Sequence, residues 1–152
     1  MSLNDEVELL RQVPLFANIE PAKLKLLAFT SERLTFRKGQ DLCVQGQAGD
    51  AAFIIVDGDA DVLVNTDNGG TQSVARVGKN DVVGEIAILC DVPRTATVRA
   101  ITDVTALRIS KDLFFRLVSE FPQMAVEILR ELAERLERTT SQLAKALGSA
   151  SK

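Results

Sequence analysis

The pattern of apolar and polar positions changes period twice along the chain. Near the N-terminus Val7, Leu9, Leu10 and Val13 fall at helical spacing until Pro14 interrupts them. Asn18-Ile19-Glu20-Pro21 reads as a second helix start, with Asn18 or Glu20 near the cap and Pro21 in the first turn; Leu24, Leu27 and Ala28 then share one face. From Leu34 the period drops to two. Leu34-Thr35-Phe36 alternates, Lys38-Gly39 turns the chain, and Leu42-Cys43-Val44 is a short strand closed by Gln45-Gly46. Gly49-Asp50 reads as another turn, residues 52–56 as an apolar strand, and Asp57-Gly58 as a hairpin before the alternating run 60–64. Asp67-Asn68-Gly69-Gly70 is a second hairpin tip, 73–77 a further strand broken by Gly78, and 98–109 one or two more. Short strands recurring every ~8–12 residues with glycine turns predict an antiparallel barrel or sandwich.

Near Ser110 the helical period returns. Ser110-Lys111-Asp112 has the pattern of a helix cap before an apolar face of Leu113, Phe114, Leu117 and Val118, and Phe121-Pro122 breaks that helix. Residues 123–147 then form one helix free of glycine and proline. Along it Leu129, Leu132, Leu136, Thr139, Leu143 and Ala146 step by alternating threes and fours, the a/d seam of a coiled coil. Such a seam either packs on its own barrel or joins two chains. A dimer accounts better for its length, since a lone packing helix usually runs ~10–14 residues.

Composition narrows the chemistry. The chain has 152 residues, a net charge of −3, and neither His, Trp nor Tyr. Without His the commonest general base and metal ligand is missing. Cys43 and Cys90 have no metal or redox spacing and read as two buried thiols rather than a disulfide or a sensor. The pI near 5.1 argues against a nucleic-acid-binding domain. No apolar run approaches the ~20 residues of a membrane span, and residues 1–11 are acidic rather than leader-like, so a cytoplasmic protein is expected.

The chemistry concentrates between two strands, in Gly84-Glu85-Ile86-Ala87-Ile88-Leu89-Cys90-Asp91-Val92-Pro93-Arg94-Thr95-Ala96-Thr97-Val98. Gly84 permits positive φ or a close backbone approach. Residues 85–89 form a helical turn with free N–H groups. Arg94, launched by Pro93, offers a planar fork of donors for a phosphate. Thr95 adds a hydroxyl, and Glu85 offers an acceptor for a sugar hydroxyl. Bland alternatives stand beside these roles: an ion pair for Arg94, a helix-start carboxylate for Glu85 and a strand-forming residue for Thr95. Arg99 reads as a solvated strand residue rather than a second phosphate ligand, and Cys90 as packing.

Gly84-Glu85 and Pro93-Arg94-Thr95-Ala96-Thr97-Val98 resemble the phosphate-binding cassette of cyclic nucleotide-binding domains, and the resemblance extends over nearly the whole chain. It implies a mainly β fold with flanking α: an antiparallel, jelly-roll-like β-roll with N-terminal helices and a long C-terminal helix. One domain then covers 1–147, with the roll at 34–109, the cassette at 84–97 and C-terminal helices at 111–147. Residues 148–152 form a tail. It further implies that Arg94 pairs with a cyclic phosphate and that Glu85 accepts from the ribose 2′-hydroxyl beside the Gly84 backbone. The amides of Ile86, Ala87 and the Thr95-Ala96 segment reach phosphate or ribose, and Val62 and Val74 wall the nucleotide. The chain departs from the family at Gly78-Lys79-Asn80-Asp81-Val82-Val83, where an aromatic before the Gly-Glu is absent; Asn80 tolerates the left-handed geometry the turn requires.

Thr95 in related domains bonds a guanine edge, which permits cGMP. Residues 134–141 are similar to the long helix of the catabolite activator family, whose two adjacent hydroxyls contact the adenine amino group, one from each subunit. Thr139 and Thr140 stand in those places, although Thr139 also reads as a tolerated β-branched residue in the seam. The balance favours cAMP over cGMP and a parallel homodimer through the C-terminal helix. No helix-turn-helix follows in this sequence, so a stand-alone sensor and the effector part of a transcription regulator both fit. The expected activity is regulatory rather than enzymatic, without a cofactor, and its output goes to an unknown downstream protein. The rival is a dimerisation module with an empty nucleotide-like pocket.

Overall fold

The computed structural model describes residues 3–13, 16 and 19–150. The readings at Pro14, Asn18, Ser151 and Lys152 lie outside the described residues. Helices α1 (Leu3–Arg11) and α2 (Pro21–Thr30) precede strands β1 (Glu32–Phe36), β2 (Asp41–Cys43), β3 (Ala51–Asp57), β4 (Ala60–Asn65), β5 (Thr71–Val77) and β6 (Val82–Val83). Helix α3 (Glu85–Cys90) separates these from β7 (Thr97–Ala100) and β8 (Val104–Ser110). Helices α4 (Lys111–Glu120) and α5 (Pro122–Ala150) close the chain. Glu20 is the N-cap of α2, with Pro21 in the first turn.

The strands form two antiparallel four-stranded sheets in the orders β1-β8-β3-β6 and β2-β7-β4-β5. Between them lie Cys43, Phe53, Ile55, Val98, Val104 and Ala106. On the other face of the first sheet, Ile54, Val56, Leu107 and Ile109 pack against Leu10, Leu24, Phe114, Met124 and Ile128 of the helices. β3 is therefore covered on both faces. This explains why its sequence is an apolar run rather than an alternation.

Four readings are corrected. Asp57-Gly58 is not a hairpin: β3 and β4 belong to different sheets, and Gly58 (φ 96°) is the corner where the chain crosses between them. A Cβ there would collide with the Asp103 carbonyl and stand 2.9 Å from Val104 Cα. Gly49-Asp50 forms no turn; a side chain at Gly49 would meet Ala87, so its smallness lets α3 sit against the loop. Cys90 is exposed at the end of α3, and only Cys43 is buried. Gly148, Ser149 and Ala150 belong to α5 rather than to a tail.

The Ser110 hydroxyl caps α4 by accepting from the Leu113 N–H at 3.2 Å. Past the packing residues Met124 and Ile128, α5 leaves the core. Leu132 is half-buried, whereas Leu129, Leu136, Leu143 and Leu147 are 67, 68, 58 and 61% exposed. Most of the seam thus does not pack on its own roll. On the second sheet a row of alternating charge runs across all four strands: Asp41 is in register with Arg99, Arg99 with Asp61, and Asp61 with Arg76. Arg99 Nε donates to Asp41 Oδ1 at 2.8 Å, so Arg99 is an ion-paired strand residue away from the cassette.

Candidate functional site

The cassette is positioned from both sides. Gly84 takes φ 87°, a left-handed conformation that swings the chain from β6 into α3. A Cβ at Gly84 would lie 2.5 Å from Arg94 Nη1 and 3.1 Å from the Ala51 carbonyl. Asn80 (φ 75°) makes the turn before β6. Val82 and Val83 stand where the family has an aromatic, and they point into the two opposite cores. At the other end of the cassette, the Arg94 N–H donates to Gln47 O at 2.8 Å and the Arg94 carbonyl accepts from Gly46 at 2.9 Å. The Thr97 hydroxyl accepts from the Gln45 amide at 2.9 Å. The Gln45-Gly46 turn thus clamps the backbone that carries the arginine.

The Arg94 guanidinium lies in the interior. It donates to the Gly84 carbonyl at 3.2 Å, stands 5.9 Å from the centre of the Phe53 ring, and faces Asp50 Oδ1 at 3.7 Å. Asp50, which also contacts Arg108 at 3.4 Å, is 74% exposed at its side chain, so Arg94 retains much unspent positive charge. Among the described residues only Glu85, at 5% exposure, and Arg94, at 6%, are buried charged side chains. Burying charge is expensive unless something repays it.

Both residues line a cavity of about 790 Å³ between the roll, the cassette and α5, within the range of small-molecule sites. The same cavity gathers Gly84, Ile86, Ala87, Thr95, Ala96, Val62, Val74 and Thr139. Thr140 is exposed and does not line it. Cys43 lies in the wall, and burial pushes its thiol pKa up, opposed by the charge of Arg94.

Sequence reasoning missed two groups. Asp50 lies 44 positions before Arg94, in a loop with no motif. Glu127, Arg130, Glu134, Arg138 and Gln142 face the cavity from α5, opposite Arg76 of β5. Their steps of three and four mark a polar stripe beside the leucine seam, legible as helical periodicity but not as a cavity wall. Among the described residues no cluster of His, Cys, Asp and Glu could hold a metal ion, and no helix is long and apolar enough to cross a membrane.

Fold and site together define a β-roll whose cavity carries a buried arginine beneath a C-terminal helix. Residues 33–121 match the cyclic nucleotide-binding domain, and the chain belongs to that family. It is 28% identical over 137 residues to a CRP-like cAMP-activated global transcriptional regulator of Mycobacterium tuberculosis, covering 90% of this chain and 61% of that one. It is 36% identical over 129 residues to a cAMP-dependent protein kinase regulatory subunit of Mycosarcoma maydis, covering 85% and 23%. The chain therefore spans less than two thirds of the length of these relatives. Its fold matches the sensor domain of the transcriptional regulator DNR from Pseudomonas aeruginosa with a TM-score of 0.80 at 21% identity, covering 91% and 93%.

Proposed function

We propose that this chain is a regulatory sensor that binds a cyclic nucleotide, cAMP in preference to cGMP. The observation that carries the reading is the burial of Arg94 and Glu85 in one cavity, beside a left-handed Gly84. A cyclic phosphate supplies the anion that repays burial of the guanidinium, and Glu85 accepts from the ribose 2′-hydroxyl. Amides of Ile86, Ala87 and the Thr95-Ala96 segment complete the contacts, with Val62 and Val74 against the purine. Thr139 reaches the base from α5. Thr140, turned off its own cavity, serves the second subunit of a parallel dimer joined by the exposed Leu129, Leu136 and Leu143.

Signalling works by population shift. The nucleotide favours the conformer in which α5 closes on the cassette, because only that conformer makes both sets of contacts. A ligand preferring it ~100-fold moves the equilibrium by about 2.7 kcal/mol. Titration calorimetry of nucleotide-stripped protein tests the reading. Micromolar or tighter binding, with cAMP ahead of cGMP, is expected. No heat from either ligand at millimolar concentration overturns it and leaves a dimerisation module with an empty pocket.

A further inference from the structure

Helix α2 is apolar on both sides. Leu24, Leu27 and Ala28 are buried against the roll, yet on the opposite side Leu26 is 58% and Phe29 78% exposed. A helix that is hydrophobic all round is normally covered all round. The exposed stripe is continuous: Ala22, Leu26 and Phe29 follow at i, i+4 and i+7, a run of about 10 Å at the helical rise. Within α2 itself its charges are one-sided. At 100° per residue Lys23 falls on one flank and Lys25 on the other, and α2 contains no acidic residue. The nearby cations of α1 and β1 are already spent, Arg11 on Glu8 at 3.1 Å and Arg33 on Glu6 at 2.7 Å. A groove lined by Val7, Glu8, Pro21, Ala22 and Lys25 continues the stripe toward α1.

We infer that this face of α2 docks an acidic amphipathic helix of a partner protein, with apolar residues at i, i+3 or i+4, and i+7, and carboxylates on both sides of that stripe. An apolar row seated on Ala22, Leu26 and Phe29 places flanking carboxylates over Lys23 and Lys25, the arrangement of a helix-in-groove contact with charged edges. The face is built from α1 and α2, and none of its residues lines the nucleotide cavity or belongs to the α5 seam. It gives the output of the domain a physical address.

The test uses the full chain and two synthetic 18-residue helical peptides that share one leucine stripe, flanked in one by Glu and in the other by Lys. Amide chemical-shift mapping and titration should place the Glu peptide on residues 22–29, at least tenfold tighter than the Lys peptide. Lys23→Glu with Lys25→Glu should reverse that order. Leu26→Ser with Phe29→Ser should weaken the Glu peptide at least tenfold while leaving the melting temperature and the binding of cAMP unchanged. Equal binding of both peptides, binding of neither, or shifts elsewhere overturns the inference. Phosphatidylglycerol vesicles form a further arm: if they, and not the Glu peptide, perturb Leu26 and Phe29, the face is a membrane contact and the inference fails.

Discussion

At one end of the cavity Arg94 is fixed by the Gly84 carbonyl, the Phe53 ring and a backbone clamped at Gln47 and Gly46. At the other end Arg138, Thr139 and Gln142 are exposed on a helix that has left the core. The first end is fixed by the fold itself, since those contacts are all made within the chain. The second is exposed in the single chain and, on the function proposed above, gains its contacts from ligand or a second subunit. In the sensor proposed above, such an asymmetry lets the fixed end supply affinity and the exposed end supply the change that is read.

The largest effect expected is from Arg94→Ala. Losing a charge-assisted bidentate contact should lower cyclic nucleotide affinity at least 100-fold, about 2.7 kcal/mol, as read by calorimetry. Unchanged affinity would place the anion elsewhere and erase the distinction between the two ends. Gly84→Ala comes next. Its Cβ would crowd Arg94 Nη1 and the Ala51 carbonyl from a φ of 87°, which should cost roughly 1–3 kcal/mol in urea unfolding. By contrast Leu136→Ser, at the exposed end, should leave the unfolding of the dilute monomer within about 0.5 kcal/mol of wild type. It should nonetheless weaken self-association.

Thr139→Leu sharpens the contrast from the α5 side. Burying an added apolar side chain in the seam should tighten the dimer by roughly tenfold in sedimentation, while the nucleotide response falls. A monomer in light scattering with nucleotide present would remove α5 from the dimer role. The smallest effect is alkaline. The Cys43 thiol is held above its ordinary value of 9.0, chiefly by burial, so the folded state favours the neutral form. Its contribution to stability is complete below about pH 9 and is lost as pH rises through the raised value. Cys43→Val should flatten that decline in pH-dependent melting, a window uncluttered by tyrosine because the chain has none.

What could be read in advance follows the range of the interactions. The cassette was legible because Gly84, Glu85 and Arg94 are neighbours in sequence and each has one stereochemical job. Ser110 and Pro21 were legible for the same reason. The Asp57-Gly58 corner was not, since a glycine turn looks alike whether the next strand returns to its own sheet or crosses to the other. β6 escaped because its two residues are too few to show a period. Asp50 and the polar stripe of α5 became site residues only through tertiary placement.

The row Asp41, Arg99, Asp61, Arg76 has a consequence for how the roll assembles. Hydrophobic alternation is blind to an even slip: moving β4 by two residues along β7 would keep Val62 and Val98 facing inward. In one direction such a slip would set Asp61 against Ile101 and Arg99 against Leu63, leaving Arg99 with Asp41 alone. The charges therefore act as a vernier on a scale whose coarse divisions are the valines. They disfavour a misassembled sheet that the core alone would accept, and so help keep the two walls of the cavity in step.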